Sequence, residues 1–397
     1  MMLSEVLSLA QTLVRMDSVA APNRPFEEGV AHYLAVYLKQ AGFAVQLEQV
    51  ADKRPNLMAS FDTGKSGRLL ILEGHTDVVT EGERAAWHKN PFSGDIENGK
   101  LWGRGSADMK GGLAAAVIAA KNVRQAVLHG SLELSGELRL LIPCDEEGMM
   151  SGIKQMVRQG WHLKNGKPAD GAIICEPEEL ELCLWQRGGI RVAMQFLGKQ
   201  AHGAMPYAGI NPIPWLAQAV LQIGVLEQEL QAQIPEHPML GKPYITPTVL
   251  QAGSLPQLNV MPGEAILALD IRTVPGVDHA VLHQRLRQIL AGLENAKTEY
   301  RIIDDRPWTA TDPKAAIVQA LETATRRVLH QEPKYGGVPG TTDGTFLHAA
   351  GVPIVTVGPG DREIPHQANE FVRISELEQS VALYSEAIAL FLSADTV

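Results

Sequence analysis

The chain has 397 residues, 45% of them hydrophobic and 20% charged, the composition of an ordinary globular protein long enough for two domains and a sizeable core. Lys and Arg number 35 against 45 Asp and Glu, a net charge of −10, which argues against a nucleic-acid partner and leaves no basic patch for a membrane surface. Three cysteines without CxxC spacing exclude a disulfide framework and a thiolate zinc site.

The apolar spacing of residues 3–16 predicts an amphipathic helix, and a second is expected over about 26–41, ending at Gly42. The N-terminus has no basic segment followed by an apolar core, so it does not read as a secretory signal. No apolar run approaches a membrane span, and the cytoplasm is the expected location. Residues 59–66 look like a phosphate loop with alanine for its first glycine, but they lead into the apolar run 69–72 and not into a helix, so a hairpin turn is expected. The runs 69–72, 138–142, 172–174 and 352–357 predict short buried strands. Between and after them, residues 112–127 and 375–392 predict helices, the latter with Leu377, Val381, Tyr384, Ile388 and Phe391 on its apolar side.

Residues 1–185 and 305–397 therefore read as one α/β domain with a mostly parallel central sheet. The middle, 186–304, has a different texture. It reads strand 190–196, a Gly/Pro-rich stretch, helix 215–233, strands 246–251 and 265–272, helix 277–293 and strand 298–303. This is the pattern of an α+β insert, a small antiparallel sheet with helices on one face.

Five separated motifs carry the chemistry: Gly74-His75-Thr76-Asp77, Gly105 to Gly112 around Asp108, Asp145-Glu146-Glu147-Gly148, Cys175-Glu176-Pro177 and Pro365-His366-Gln367. Each follows an apolar run, and in open α/β sheets sites form beyond the carboxyl ends of the strands. Two imidazoles and several carboxylates suit two divalent cations such as zinc, with a carboxylate left over as a base. If Glu176 faces such a site, Cys175 faces the core. His129, His162, His279, His283 and His330 have no clustered partners in the sequence and are expected to be solvated or packed. Ser106 lies outside any GxSxG match, which makes a serine hydrolase remote.

In these motifs and their order the chain resembles the M20 metallopeptidases, in the branch of acetylornithine deacetylase, succinyl-diaminopimelate desuccinylase and glutamate carboxypeptidase. The resemblance implies a zinc-peptidase-like catalytic domain with an inserted lid and dimerisation domain. It assigns His75, Asp108 and Glu176 to one zinc and Asp108, Glu147 and His366 to the other, with cobalt as an alternative metal. It makes Asp108 the bridge, followed by a cis peptide bond to Met109, gives Asp77 the task of orienting His75, and makes Glu146 the general base. In the insert it implies that His202 helps hold the oxyanion, often across a homodimer, and that Asn259 and Arg272 contact substrate. The loop beginning at Gly340 would bring backbone donors near the substrate. The implied activity is hydrolysis of an N-acyl amino acid or small peptide amide. A carboxypeptidase of the glutamate carboxypeptidase type is the alternative reading, and a non-catalytic binding homologue the more distant one.

Overall fold

The four apolar runs are strands, and they lie side by side. In the computed structural model, which describes residues 3–21 and 23–393, the spatial order is Glu137–Ile142, Leu69–Glu73, Gly171–Ile174 and Ile354–Thr356. All three pairings are parallel, with Ile71 opposite Arg139 and Ala172, and Ile173 opposite Val355. Parallel strands have both faces covered, and every residue of these four is buried. Antiparallel strands flank them: Arg54–Asp62 pairs with Glu137–Ile142, Ala44–Ala51 pairs with Arg54–Asp62, and Cys183 pairs with Thr356 on the other side.

This order corrects the expected hairpin at residues 59–66. Arg54–Asp62 and Leu69–Glu73 are not neighbours, because Glu137–Ile142 lies between them. The intervening loop instead crosses the start of that middle strand, where Gly136 exchanges hydrogen bonds with Thr63 and Lys65. Gly136 has φ +98° and leaves no room for a Cβ against the Arg68 carbonyl.

The helices Glu5–Arg15, Glu28–Gln40, Lys110–Leu128 and Ile374–Phe391 fall where the periodicity predicts them. Gly42, just past the second, has φ +87°. In the C-terminal helix Leu377, Tyr384, Ile388 and Phe391 are buried as expected, while Val381 is only half-buried. The Lys110–Leu128 helix begins with Gly111 and Gly112. A Cβ on Gly112 would collide with the Cys175 carbonyl and one on Gly111 with the Ser106 carbonyl. Gly112 lets the helix start come down directly on the end of the Gly171–Ile174 strand, and Gly111 lets it close against its own preceding loop.

The chain forms two compact units. The first comprises the chain up to Leu184, Thr311–Val338 and the chain from Thr342 onward; the second is Trp185–Ala310 with Pro339–Thr341. In the second unit a four-stranded antiparallel sheet runs Tyr244–Ala252, Glu264–Thr273, Gly188–Leu197, Lys297–Arg306. Ile190, Val192, Met194 and Phe196 alternate onto one face, packed with Leu216, Ile223, Leu282 and Leu286 from the helices Ile213–Gln233 and His279–Ala291. Asp278 caps the second helix by accepting the N–H groups of Ala280 and Val281.

His279 and His283 depart from the sequence expectation of histidines without partners. Their four-residue spacing puts both on one helix face, over Asp305. His279 Nδ1 lies 2.6 Å from Asp305 Oδ1, His283 Nε2 lies 2.9 Å from Oδ2, and the other ring nitrogens reach Thr273 Oγ1 at 2.8 Å and the Tyr300 hydroxyl at 2.5 Å.

Candidate active site

The parallel strands deliver most of the ligand candidates to one place. His75 stands two residues past Glu73, Glu176 two past Ile174, and Glu146 and Glu147 follow Ile142 within one short loop. His366 comes from the longer loop after Ile354–Thr356. Asp108 corrects the expectation that each motif follows a strand of the central sheet. It lies between Lys100–Trp102, a strand of a separate three-stranded sheet, and the Lys110–Leu128 helix, and the peptide bond to Met109 is cis, as the resemblance implies.

The two oxygens of Asp108 face different imidazoles. Oδ1 lies 3.2 Å from His75 Nε2, and Oδ2 lies 3.3 Å from His366 Nε2. Glu176 Oε1 is 3.5 Å from His75 Nε2, and Glu147 Oε2 is 3.1 Å from His366 Nε2. Ligand atoms of His75, Asp108 and Glu147 lie within 4.8 Å of one another, as do those of His75, Glu146 and Glu176. Both groups differ from the sets implied by the resemblance: the first contains His75 in place of His366, and the second Glu146 in place of Asp108. Glu146 nevertheless stands apart from the others, since its carboxylate accepts no hydrogen bond and pairs with no cationic side chain among the described residues. Asp77, fully buried, accepts the backbone N–H of Glu146 on Oδ1 and of Glu147 on Oδ2, both at 3.1 Å. His75 Nδ1 is 3.0 Å from the Asp77 main-chain carbonyl and 3.5 Å from its carboxylate, so the main chain is the better partner for that ring nitrogen.

The electrostatics are those of a site short of positive charge. Burial pushes the Glu146 carboxyl well above its usual range, with His75 opposing and Glu176 adding to the shift. Burial, together with the Asp108 charge, raises Glu147 and brings Glu176 to about 7. Against burial, Glu176, Asp108 and Asp77 hold His75 well above an ordinary imidazole, and hydrogen bonds to Asp108 and Glu147 raise His366 to about 10. Asp108 is held below the usual carboxylate range by His366 and His75, although burial opposes this. Four carboxylates and two imidazoles converging under these constraints fit a pair of divalent cations, with Asp108 able to offer one oxygen to each.

The sequence matches the model of Peptidase family M20/M25/M40 over residues 71–390. The chain belongs to this family. It is 32% identical over 405 residues to succinyl-diaminopimelate desuccinylase of Methylobacterium sp. (strain 4-46), covering 98% of this chain and 96% of that protein. An M20 family metallo-carboxypeptidase from Sulfolobus solfataricus superposes with a TM-score of 0.79 at 21% identity, covering 98% of this chain and 99% of that one. A Bacillus subtilis protein described as a dinuclear metal binding peptidase from the M20 family gives a TM-score of 0.69 at 17% identity, covering 98% and 97%. The protein is a metal-dependent hydrolase of amide bonds.

In this M20 chain the remaining candidates fall in the second unit, His202 and Asn259 at a two-stranded ribbon that follows one end of the four-stranded sheet and Arg272 at the other end of that sheet. His202 pairs in register with Val260, and Gly203 donates to the Asn259 carbonyl at 2.7 Å, so His202 and Asn259 are neighbours. Arg272 lies near the far end of the strand Glu264–Thr273, opposite Gly189. There Asp270 takes its guanidinium through hydrogen bonds of 2.6 Å and 3.3 Å. Gly340 belongs to the segment Pro339–Thr341, which reaches that same end, the Thr341 side chain lying against Gly189. With a rise of about 3.3 Å per residue, the His202–Asn259 end and the Arg272 end are roughly 25 Å apart.

Sequence reasoning missed three buried groups beside the ligands. Glu370 and Arg104 form an ion pair of 2.6 Å between the Asp108 and His366 loops. Glu73 is buried with neither carboxylate oxygen hydrogen-bonded among the described residues, and burial with Asp343 and Glu176 nearby raises its pKa well above normal. The position of Glu73, two residues before His75, was the available signal for it; nothing local distinguishes Arg104 or Glu370. Ser106 is fully buried and its hydroxyl has no hydrogen-bond partner among the described residues, which leaves it without the base a nucleophile needs.

Proposed function

We propose that this enzyme is a di-zinc amidohydrolase that cleaves the amide of an N-acyl amino acid carrying a free carboxylate, as the name of its desuccinylase relative suggests. Asp108 carries the reading: its oxygens turn to two different imidazoles, the arrangement a bridging carboxylate requires. His75, Asp108 and Glu176 would hold one cation, and Asp108, Glu147 and His366 the other. Zinc suits imidazole and carboxylate donors, and cobalt would substitute for it. Cations bound there would polarise the amide carbonyl and lower the pKa of a water.

The protein's own part follows from its side chains. Glu146, without a hydrogen-bonding or ionic partner among the described residues and with its pKa raised by burial, is suited to take the proton of the attacking water and return it to the leaving amine. Asp77 braces the main chain that carries Glu146 and Glu147. Arg272 would bind the substrate carboxylate, sharing it with Asp270, while backbone groups at Gly340 and the side chain of Asn259 contribute further contacts.

The separation within the second unit bears on the oligomer. A small substrate held by Arg272 does not span roughly 25 Å to His202 of the same unit. This favours His202 and Asn259 acting in the site of a partner copy, and hence a homodimer through this inserted unit. The net charge gives no support to a nucleic-acid partner. No helix among the described residues is long and apolar enough to cross a membrane. Three unpaired, buried cysteines fit a cytoplasmic setting.

A screen of acetyl-, succinyl- and formyl-amino acids beside dipeptides, on zinc- or cobalt-loaded protein, tests the reading. Turnover confined to peptides with a free C-terminal residue would favour the carboxypeptidase alternative, and no turnover of any amide would overturn both.

A further inference from the structure

We infer that Glu370 and Arg104 are positioning residues for the cation position built on His366, acting by tying the Asp108 loop to the His366 loop. The inference rests on the proposed assignment of Asp108 and His366 as ligands.

Glu370 is fully buried and uses every acceptor it has on one purpose. Its Oε2 takes the Arg104 Nη1 donor at 2.6 Å, and its Oε1 accepts the backbone N–H groups of Ala107 at 2.9 Å and Asp108 at 3.1 Å. Its main-chain carbonyl accepts from the Gly103 N–H at 2.9 Å. Arg104 in turn donates from Nη2 to the His366 carbonyl at 3.3 Å, with the Trp87 ring over its guanidinium at 5.2 Å. Two segments 266 residues apart are thus fastened at the very residues that carry ligand side chains. His366 itself has φ +66°, a left-handed backbone that a non-glycine residue keeps only where its surroundings hold it.

Stability alone is a poor reason for such a pair, because a buried ion pair gains little over apolar residues of the same shape. Position is the better one. The groups behind a ligand fix its orientation, and removing them typically lowers metal affinity roughly 10–100-fold. The clamp is also one-sided. Asp108 is shared by both proposed cation positions, but the clamp also holds the main chain of His366 and makes no hydrogen bond to His75 or Glu176, so its loss falls more heavily on the position built on His366.

The test is a cobalt(II) titration of metal-free full-length protein, followed by absorption and calorimetry, for the unsubstituted chain, Glu370→Gln, Arg104→Lys and His366→Ala. The unsubstituted protein should show two binding steps, and His366→Ala identifies the step that depends on its imidazole. Glu370→Gln and Arg104→Lys should weaken that same step roughly 10–100-fold and the other step, which shares Asp108, distinctly less. Equal weakening of both steps, or of neither, overturns the inference. Absence of cobalt binding to the unsubstituted protein would instead overturn the ligand assignment on which it rests. If Glu370→Gln fails to fold, Arg104→Lys decides alone, because it leaves the Glu370 bonds to Ala107 and Asp108 intact while shortening the reach to the His366 carbonyl.

Discussion

The Oδ2 atom of Asp77 accepts the backbone N–H of Glu147 at 3.1 Å. The other oxygen does the same for Glu146, so one buried carboxylate holds the proposed base and its neighbouring ligand in register. Asp77→Asn would keep the shape but turn an amide N–H group towards one of these donors. We expect a loss of about 1–3 kcal/mol in stability, with lower turnover. Urea unfolding and kcat together check this, and a variant unchanged in both would mean the brace is dispensable.

Glu146 and Glu147 should fail differently. Glu146→Gln cannot accept a proton and should lower kcat roughly 10²–10⁴-fold with both cations retained. Glu147→Gln should lose affinity for one cation, since an amide oxygen is a poorer zinc ligand than a carboxylate. Metal content and turnover of each variant decide the matter; the reverse pattern would exchange their roles.

Exhaustive chelation should abolish activity, and zinc or cobalt should restore it at two ions per chain. Full activity in metal-free protein would contradict the reading.

Arg272→Met should weaken a carboxylate-bearing substrate without changing metal content. Losing a charge-assisted pair costs about 1.5–3 kcal/mol, and the loss should appear mainly in KM. Because Asp270 already holds the guanidinium, an effect on folding alone, with KM unchanged, would assign Arg272 to the sheet and not to the substrate.

Asp305 offers a pH test within the second unit. Burial opposes the shift, but His279 and His283 hold its carboxyl below the usual range. A depressed folded pKa gives stability that is present above the unfolded value, about 4, and is lost as pH falls through the folded one. Asp305→Asn should therefore cost about 1.5–3 kcal/mol at neutral pH, and the difference from the unsubstituted chain should shrink in acid. Denaturant unfolding at pH 7 and at about pH 3 measures it; an undiminished difference at the lower pH would refute the argument.

Much of the fold was legible because burial leaves a periodic mark. The runs before His75, Glu146 and Glu176 are apolar, with Arg139 the one interruption, since their strands are covered on both faces, and Ile190 to Phe196 alternate since only one face is. Sheet order left no such mark, which is why the loop after Asp62 read as a hairpin when Glu137–Ile142 lies between its two strands. The ligand candidates were visible as chemically distinctive residues in turns. Glu370 was not, because its significance depends on Arg104 and on backbone groups brought in from a distant part of the chain. His279 and His283 were misread for the same reason: spacing aligns them with each other, and only the folded sheet supplies Asp305.

Thr311 donates its backbone N–H to the Leu184 carbonyl at 3.0 Å. The first unit is therefore left and re-entered by the chain at adjacent points, although more than a hundred residues intervene. A segment that departs and returns through one doorway places little demand on its host, because its ends need not be drawn together by its own folding. The inserted unit can change length, loop chemistry or partner surface over evolutionary time while the strands behind His75 and Glu176 keep their positions. Diversity of substrates among enzymes of this architecture would then arise from exchanging the cassette, with the ligand-bearing strands and loops of the first unit inherited unchanged.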